Sequence, residues 1–333
     1  MKTKIVHTLT GLLKSLIFPV FMYLLFMIIT LAAGHKGFVS GNAFEYIFSQ
    51  SVMQTIIALA IAIPLSGGRW DFATGTIAVL GGIIGCNLAI MLNAGVFGMI
   101  VITVAVCIGL AVIEGALYLL LRVPTMIVSL GVVMIYEALS GILFDGGGVQ
   151  LYVHENLAVV GSSPWCYLIL AAVLIIVYFL LYHTTFGYDT RSLGSNAKLA
   201  LNNGVKEKKN IMLTYVLVGG LLGAAAILNA CKGNVAPASN LSSTSLMFSS
   251  MGPVLVGLFL SRYANLPWGV FMGAIGMTCM SYGMVVLGID GSIQTIVLGI
   301  IIVLIMAYTT NQARLQKQIK GLINTIKIRK QAN

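Results

Sequence analysis

Three carboxylates sit in or beside apolar runs of this sequence, where few charges occur. Asp71 follows Ser66-Gly67-Gly68-Arg69-Trp70 at the start of one long apolar run, and Glu114 and Glu137 lie well inside two others. In such surroundings a carboxylate can carry a proton, attract a cation or accept hydrogen bonds from a polyhydroxyl solute, so all three are candidates for a transport path. Structural readings stand beside that one: Asp71 can pair with Arg69 or cap the helix that follows, and the glutamates can be hydrogen-bonded between helices. Enzymatic chemistry is not indicated. His7, His35, His154 and His183 fall in loops or at helix ends, and there is no H-E-x-x-H, G-x-S-x-G or Walker-type motif. Cys86, Cys107, Cys166, Cys231 and Cys279 show neither C-x-x-C nor Cys/His spacing. No catalytic residue, metal site or cofactor is expected in the chain, and a disulfide between Cys166 and Cys231 is left open.

The elements that must position these groups follow from composition. Of 333 residues, 59% are hydrophobic and 8% charged, with a mean hydropathy of +0.99. A soluble domain carries about 25% charged residues, so lipid must cover much of this surface. The net charge of +10 does not point to nucleic acid, because the basic residues lie in short clusters between apolar runs. Lys2, Lys4 and Lys14 precede an apolar run that is longer than the core of a secretory signal, which favours an uncleaved first membrane helix.

Membrane helices need about 20 mostly apolar residues, and ten segments qualify or nearly so: residues 15–33, 47–65, 72–92, 96–121, 125–144, 165–182, 211–230, 245–260, 267–287 and 292–308. The eighth is the shortest. Lys and Arg alternate along the connecting loops: they occur at the N-terminus, at Arg69, at Arg122, from Arg191 to Lys209, at Arg262 and from Arg314 to Lys330, whereas the intervening loops hold only Lys36 and Lys232. The positive-inside rule then puts both termini in the cytoplasm. The expected architecture is an all-α polytopic membrane protein of about ten transmembrane helices, forming one domain over residues 1–333. Residues 1–14 form a cytoplasmic N-terminus, and residues 312–333 a basic amphipathic tail suited to the inner membrane surface. The outer loop 145–164 and the inner loop 183–210 are too short to bury cores of their own.

Glycines punctuate this plan. Gly67 and Gly68 mark a break between two spans, and Gly75, Gly81, Gly82 and Gly85 line the third, where small residues permit close helix contact. In the inner loop a short surface helix can start near Asn196 and end at Gly204. Read from physics alone, an ordinary basic inner loop is the favoured reading of this stretch.

Three stretches carry a family likeness, and the correspondence runs from about Ile47 to Tyr308. Gly68-Arg69-Trp70-Asp71-Phe72-Ala73-Thr74-Gly75, the Leu121-Arg122-Val123-Pro124 corner with its following Leu130-Gly131, and the inner-loop set Phe186, Gly187, Leu193, Gly194, Asn196, Ala200 and Gly204 resemble permeases of bacterial ABC importers for ribose, xylose, galactose and autoinducer-2, within the branched-chain amino acid/sugar permease superfamily. The resemblance implies the ABC importer permease fold and a place in the bacterial inner (plasma) membrane. It implies a second permease chain, a cytoplasmic ATPase subunit that uses ATP, and an extracytoplasmic solute-binding protein. Residues 186–210 would then be the coupling loop, and solute would pass by alternating access. The usual Gly-rich stretch before the ninth span is replaced here by Val256 to Asn265, which leaves the solute undefined. A self-contained transporter driven by protons through Asp71, Glu114 or Glu137 is the alternative from another class.

Overall fold

The computed structural model describes residues 2–35, 37–304, 306–307 and 311; the basic tail 312–333 lies outside them. Helices α1 (Lys2–Ala32), α2 (Gly41–Ser66), α3 (Thr74–Met91), α4 (Gly95–Leu121) and α5 (Thr125–Ile142) come first. A short α6 (Glu155–Ala158) precedes α7 (Trp165–His183), α8 (Thr185–Ser195) and α9 (Ala197–Asn202). Then follow α10 (Glu207–Lys232), α11 (Thr244–Leu260), α12 (Leu266–Val286) and α13 (Gly291–Leu304). Among the described residues eight helices are long and apolar enough to cross a membrane, and α11 and α13 are shorter apolar helices, which together account for the ten expected spans. The chain is a polytopic all-α membrane protein. Two boundaries change: α1 begins at Lys2, so residues 2–14 continue the first helix instead of forming a separate segment, and loop 183–210 folds into two helices instead of one.

Local chemistry explains the helix ends. Ser40 Oγ accepts from Ala43 N (3.3 Å) to start α2, and Asn265 Oδ1 accepts from Trp268 N (3.0 Å) to start α12, which has Pro267 in its first turn. Pro64 lies in the last turn of α2, and Gly68 then takes a positive φ of 78° that a side chain would resist.

Helices α2, α3, α10 and α12 form the centre, with 67–72% of their apolar windows buried, against 22–39% for α1, α4, α5 and α7. The less buried helices expose large apolar side chains such as Ile17, Leu120, Ile142 and Ile175, as a lipid-facing layer requires. Glycine notches set the packing. A Cβ at Gly81 would strike the Cys107 side chain, at Gly85 the Thr103 backbone, and at Gly219 and Gly223 the backbones of Ile108 and Val104, so α4 is clasped between α3 and α10. Gly276 and Gly283 of α12 likewise receive the rings of Phe18 and Phe26 from α1.

The two ends of the bundle differ. Arg69, Arg122, Arg191 and Lys206 to Lys209 gather at what we call the basic end. At the opposite end, loop 145–164 packs Val149, Leu151 and Val160 against Ile83, Ile227 and Val235, in a small cluster shared with the helices. Val149 and Val235 exchange backbone hydrogen bonds of 3.0 Å in an isolated antiparallel bridge. Cys166 and Cys231, also at this end, are free thiols.

Candidate functional site

At the basic end, α2 stops, the chain breaks over Gly67-Gly68-Arg69-Trp70-Asp71, and α3 begins. Asp71 Oδ1 accepts from Ala73 N (2.8 Å), an Asx turn that leads into α3 at its N-cap residue. Neither structural reading of Asp71 is met: α3 has no side-chain cap, and among the described residues no hydrogen bond or ion pair joins Asp71 to Arg69. The guanidinium of Arg69 turns the other way and is buried: Nη2 donates to Asn210 Oδ1 on α10 (3.1 Å). Asn210 Nδ2 in turn donates to Thr190 Oγ1 (2.8 Å) and to the Phe186 carbonyl (3.3 Å) on α8. One buried amide therefore ties together the break, the first turn of α10 and α8.

Steric contact follows the same route. A Cβ at Gly194 would collide with the Ser66 carbonyl, and one at Gly67 would lie 3.3 Å from the Thr190 methyl. The end of α8 therefore rests on the backbone of the break with no side chain between them. Gly187 lets α8 turn tightly against the Leu181 carbonyl. Arg191 locks this turn by donating from Nη2 to Leu181 O (3.2 Å) and from Nε to Gly187 O (3.3 Å), with its guanidinium 4.9 Å from the Tyr182 ring centre and 5.0 Å from that of Tyr188.

Beyond α8, Asn196 is the N-cap of α9, its Oδ1 accepting from Leu199 N (3.1 Å). The helix closes at Gly204 (φ 85°): Gly204 N donates to Leu201 O (3.0 Å) and Val205 N to Ala200 O (3.1 Å), the paired bonds of a Schellman motif. The expected start and end of this helix are thus both present. Leu193 and Ala200 face inward, whereas Leu199 and Leu201 are exposed. Beside them a cleft of about 300 Å³ is lined by Phe186, Asp189, Gly204, Lys206, Lys209 and Asn210.

Glu114 of α4 lies close to Asp71. Both are buried, and neither Asp71 Oδ2 nor either Glu114 oxygen has a hydrogen-bond partner among the described residues. Gly115 leaves room for the Tyr215 ring beside them, since a Cβ there would strike that ring.

Glu137 belongs to a different constellation. Its Oε1 accepts from Ser243 N (2.9 Å) and Ser243 Oγ (2.6 Å), and its Oε2 from Leu241 N (2.8 Å). One turn on, Ser140 Oγ accepts from Ala238 N (3.1 Å). These two α5 side chains hold the extended stretch that leads from α10 into α11, and a carboxylate at the N-terminus of α11 complements its dipole. Thr76 Oγ1 meets Ser243 Oγ at 2.5 Å, and Gly75 permits this approach because a Cβ would collide with the Ser243 carbonyl. Arg122 (φ 56°) and Pro124 shape the exposed α4–α5 corner.

The structure thus brings Gly67, Gly68, Asp71, Glu114, Phe186, Gly187 and Gly194 into one neighbourhood. Glu137 joins Gly75 elsewhere, and Arg122 and Pro124 stand apart at their corner. Asn210 and Thr190 were not singled out in the sequence, and Arg69 appeared there as a possible partner of Asp71 and not of Asn210. A polar residue one position before the Ile211 run was the available signal for Asn210.

A family described as "Branched-chain amino acid transport system / permease component" matches residues 43–306. The galactose/methyl galactoside import permease protein MglC of Haemophilus influenzae is 24% identical over 311 residues, covering 86% of this chain and 92% of the relative. The autoinducer 2 import system permease protein LsrC of Photorhabdus luminescens is 23% identical over 79% of this chain and 80% of its own length. The ribose import permease protein RbsC of Escherichia coli is 22% identical over 84% and 89%. No solved structure matches.

Proposed function

This chain belongs to the branched-chain amino acid transport system permease family, and from that premise we propose that it is the membrane-spanning subunit of an ATP-driven importer for a monosaccharide or similar small polar solute. Its basic end faces the cytoplasm, and with it both termini. The chain hydrolyses nothing; a separate ATPase docks on α8 and α9, a solute-binding protein delivers at the opposite end, and a second permease chain completes the path.

The single observation that supports this reading most is the seat of Gly194 on the Ser66 carbonyl. A push on the α8–α9 pair would move the α2–α3 break directly, since side-chain give is absent at that contact, and the Arg69–Asn210–Thr190 bonds carry the same motion to α10. Motion imposed from the ATPase side can thus reach the centre of the bundle, as alternating access requires. Exposed Leu199 and Leu201 offer the ATPase apolar purchase. Asn196→Trp and Gly194→Pro should abolish uptake while leaving membrane insertion intact; normal uptake by both would remove the coupling role.

The nearness of Asp71 and Glu114 favours a second reading, because two neighbouring buried carboxyls can share one proton and so act as a proton carrier. The two readings part cleanly. Uptake that stops on ATP depletion and persists without a proton gradient supports the importer, and the reverse supports a proton-driven carrier.

A further inference from the structure

Between α2, α11 and α12 lies a cleft of about 210 Å³, open on one side. Gln54 lies about 20 Å along α2 and Thr278 about 18 Å along α12 at 1.5 Å per residue, so the cleft sits near mid-length of the spans. Gln50, Gln54, Ser250, Thr278, Ser281 and Tyr282 supply its polar lining, and no lining residue is charged. Thr278 Oγ1 donates to Gln54 Oε1 (2.8 Å), which fixes the carboxamide and leaves its NH₂ group free to donate. Ser250 Oγ is fully buried and has no hydrogen-bond partner among the described residues. At the mouth, the rings of Tyr46 and Tyr282 lie 5.0 Å apart. Gln50 Nε2 donates to Tyr46 OH (3.3 Å), and Gln50 Oε1 accepts from Lys232 Nζ (3.0 Å), whose second acceptor is the Ser49 carbonyl (2.7 Å).

Unmet amide and hydroxyl groups at membrane depth are costly against lipid, which offers them no partner. The open side must therefore face protein or water. The cleft is also smaller than the roughly 300–1,000 Å³ of ordinary ligand sites, so it is incomplete alone. Amides and hydroxyls both donate and accept, as sugar hydroxyls do. A charged or zwitterionic solute would lose its hydration here and, Lys232 at the mouth aside, gain no counter-charge.

We propose that this cleft is one half of the solute path, closed by the second permease chain, and that it takes a neutral polyhydroxylated solute. The proposal rests on the permease reading and adds the face, the residues and the chemical class. It takes the path away from Asp71, Glu114 and Glu137, none of which lines the cleft.

The test uses intact cells producing the full chain with its ATPase and solute-binding protein. Gln54→Cys and Ser281→Cys should react with a membrane-impermeant sulfonated thiol reagent above the wild-type background, and Ile175→Cys on the lipid-facing side of α7 should not. With D-ribose and D-galactose as probes and L-leucine as the counter-probe, the wild type should accumulate at least one sugar. Gln54→Leu should lower that accumulation about tenfold, the loss of a buried hydrogen bond or two, with co-isolation of the ATPase unchanged. Thiols at 54 and 281 that are as unreactive as the one at 175, or full sugar uptake by Gln54→Leu, would overturn the path. Uptake of L-leucine in place of sugar, or of no sugar at all, would overturn the solute class. Wild-type uptake that survives ATP depletion would overturn the importer reading alone, because thiol labelling reads the cleft independently of what drives transport.

Discussion

The neighbourhood of Asp71 and the cleft around Gln54 handle polarity in opposite ways. Around Asp71 the chain spends its buried charges: Arg69, Asp71 and Glu114 are enclosed by α3, α4, α8 and α10, and a single amide, Asn210, bridges three elements. Around Gln54 it uses only uncharged groups, and it leaves several of them unmet and the cleft open. An enclosed guanidinium held by Asn210 suits a joint that must transmit motion without slipping, whereas neither oxygen of the enclosed Glu114 has a hydrogen-bond partner among the described residues. Open neutral groups suit a surface that binds and releases a solute many times. The buried charge of Arg69 is therefore a sign of mechanical linkage more than of solute contact.

The largest expected effect tests the enclosed side. Asn210→Ala removes the acceptor of Arg69 and the donor to Thr190 and Phe186 together, leaving a buried guanidinium short of a partner. Losing a buried hydrogen bond to a charged group costs about 1.5–3 kcal/mol, so the purified variant should unfold below the wild type in a thermal melt and transport should be lost. Asn210→Asp keeps an acceptor for Arg69 and removes only the donor, and should fall between the two. If Asn210→Ala is as stable and active as the wild type, the joint does not run through Asn210. In neither variant should thiol labelling at Gln54→Cys vanish in the molecules that remain folded.

Glu137 sharpens the same contrast with a smaller effect. It looks like a path residue in the sequence, yet its carboxylate is engaged by Leu241 N, Ser243 N and Ser243 Oγ. Glu137→Gln weakens charge-assisted bonds and the favourable charge at the start of α11, for about 1–2 kcal/mol of stability. The expected outcome is a lower melting temperature with uptake within about twofold of the wild type, the range of a change that leaves solute contacts alone. A tenfold fall in uptake at unchanged stability would return Glu137 to the path.

What the sequence disclosed depended on distance along the chain. The spans were legible because each is one continuous apolar run, and α9 was legible because its signals are local: Asn196 caps Leu199, three residues away, and Gly204 closes the same short helix. Helix α8 was not, since Gly187 and Gly194 within a polar stretch look like loop punctuation. Only the fold shows that both are small because backbone lies against them. The role of Glu137 was hidden because Leu241 and Ser243 lie 104 and 106 residues further on. The cleft was hidden for the same reason, with Gln54 and Thr278 separated by 224 residues and joined only when α2 meets α12.

The smallest effect separates a helix that merely exists from one that is pushed. Asn196→Ala removes the side-chain acceptor for Leu199 N and should weaken the start of α9 by about 1 kcal/mol, the usual worth of an N-cap. Global stability should hardly change, because α9 is a surface helix with Leu199 and Leu201 exposed. Amide exchange in residues 197–203 should quicken severalfold while exchange in α2 and α12 stays as it was. If α9 carries the load between the ATPase and the α2–α3 break, uptake should fall in proportion to the loosened helix, and Asn196→Ser or Asn196→Asp, which restore a capping oxygen, should recover it. Faster exchange with undiminished uptake would confine the load to α8, through Gly194 and Asn210 alone.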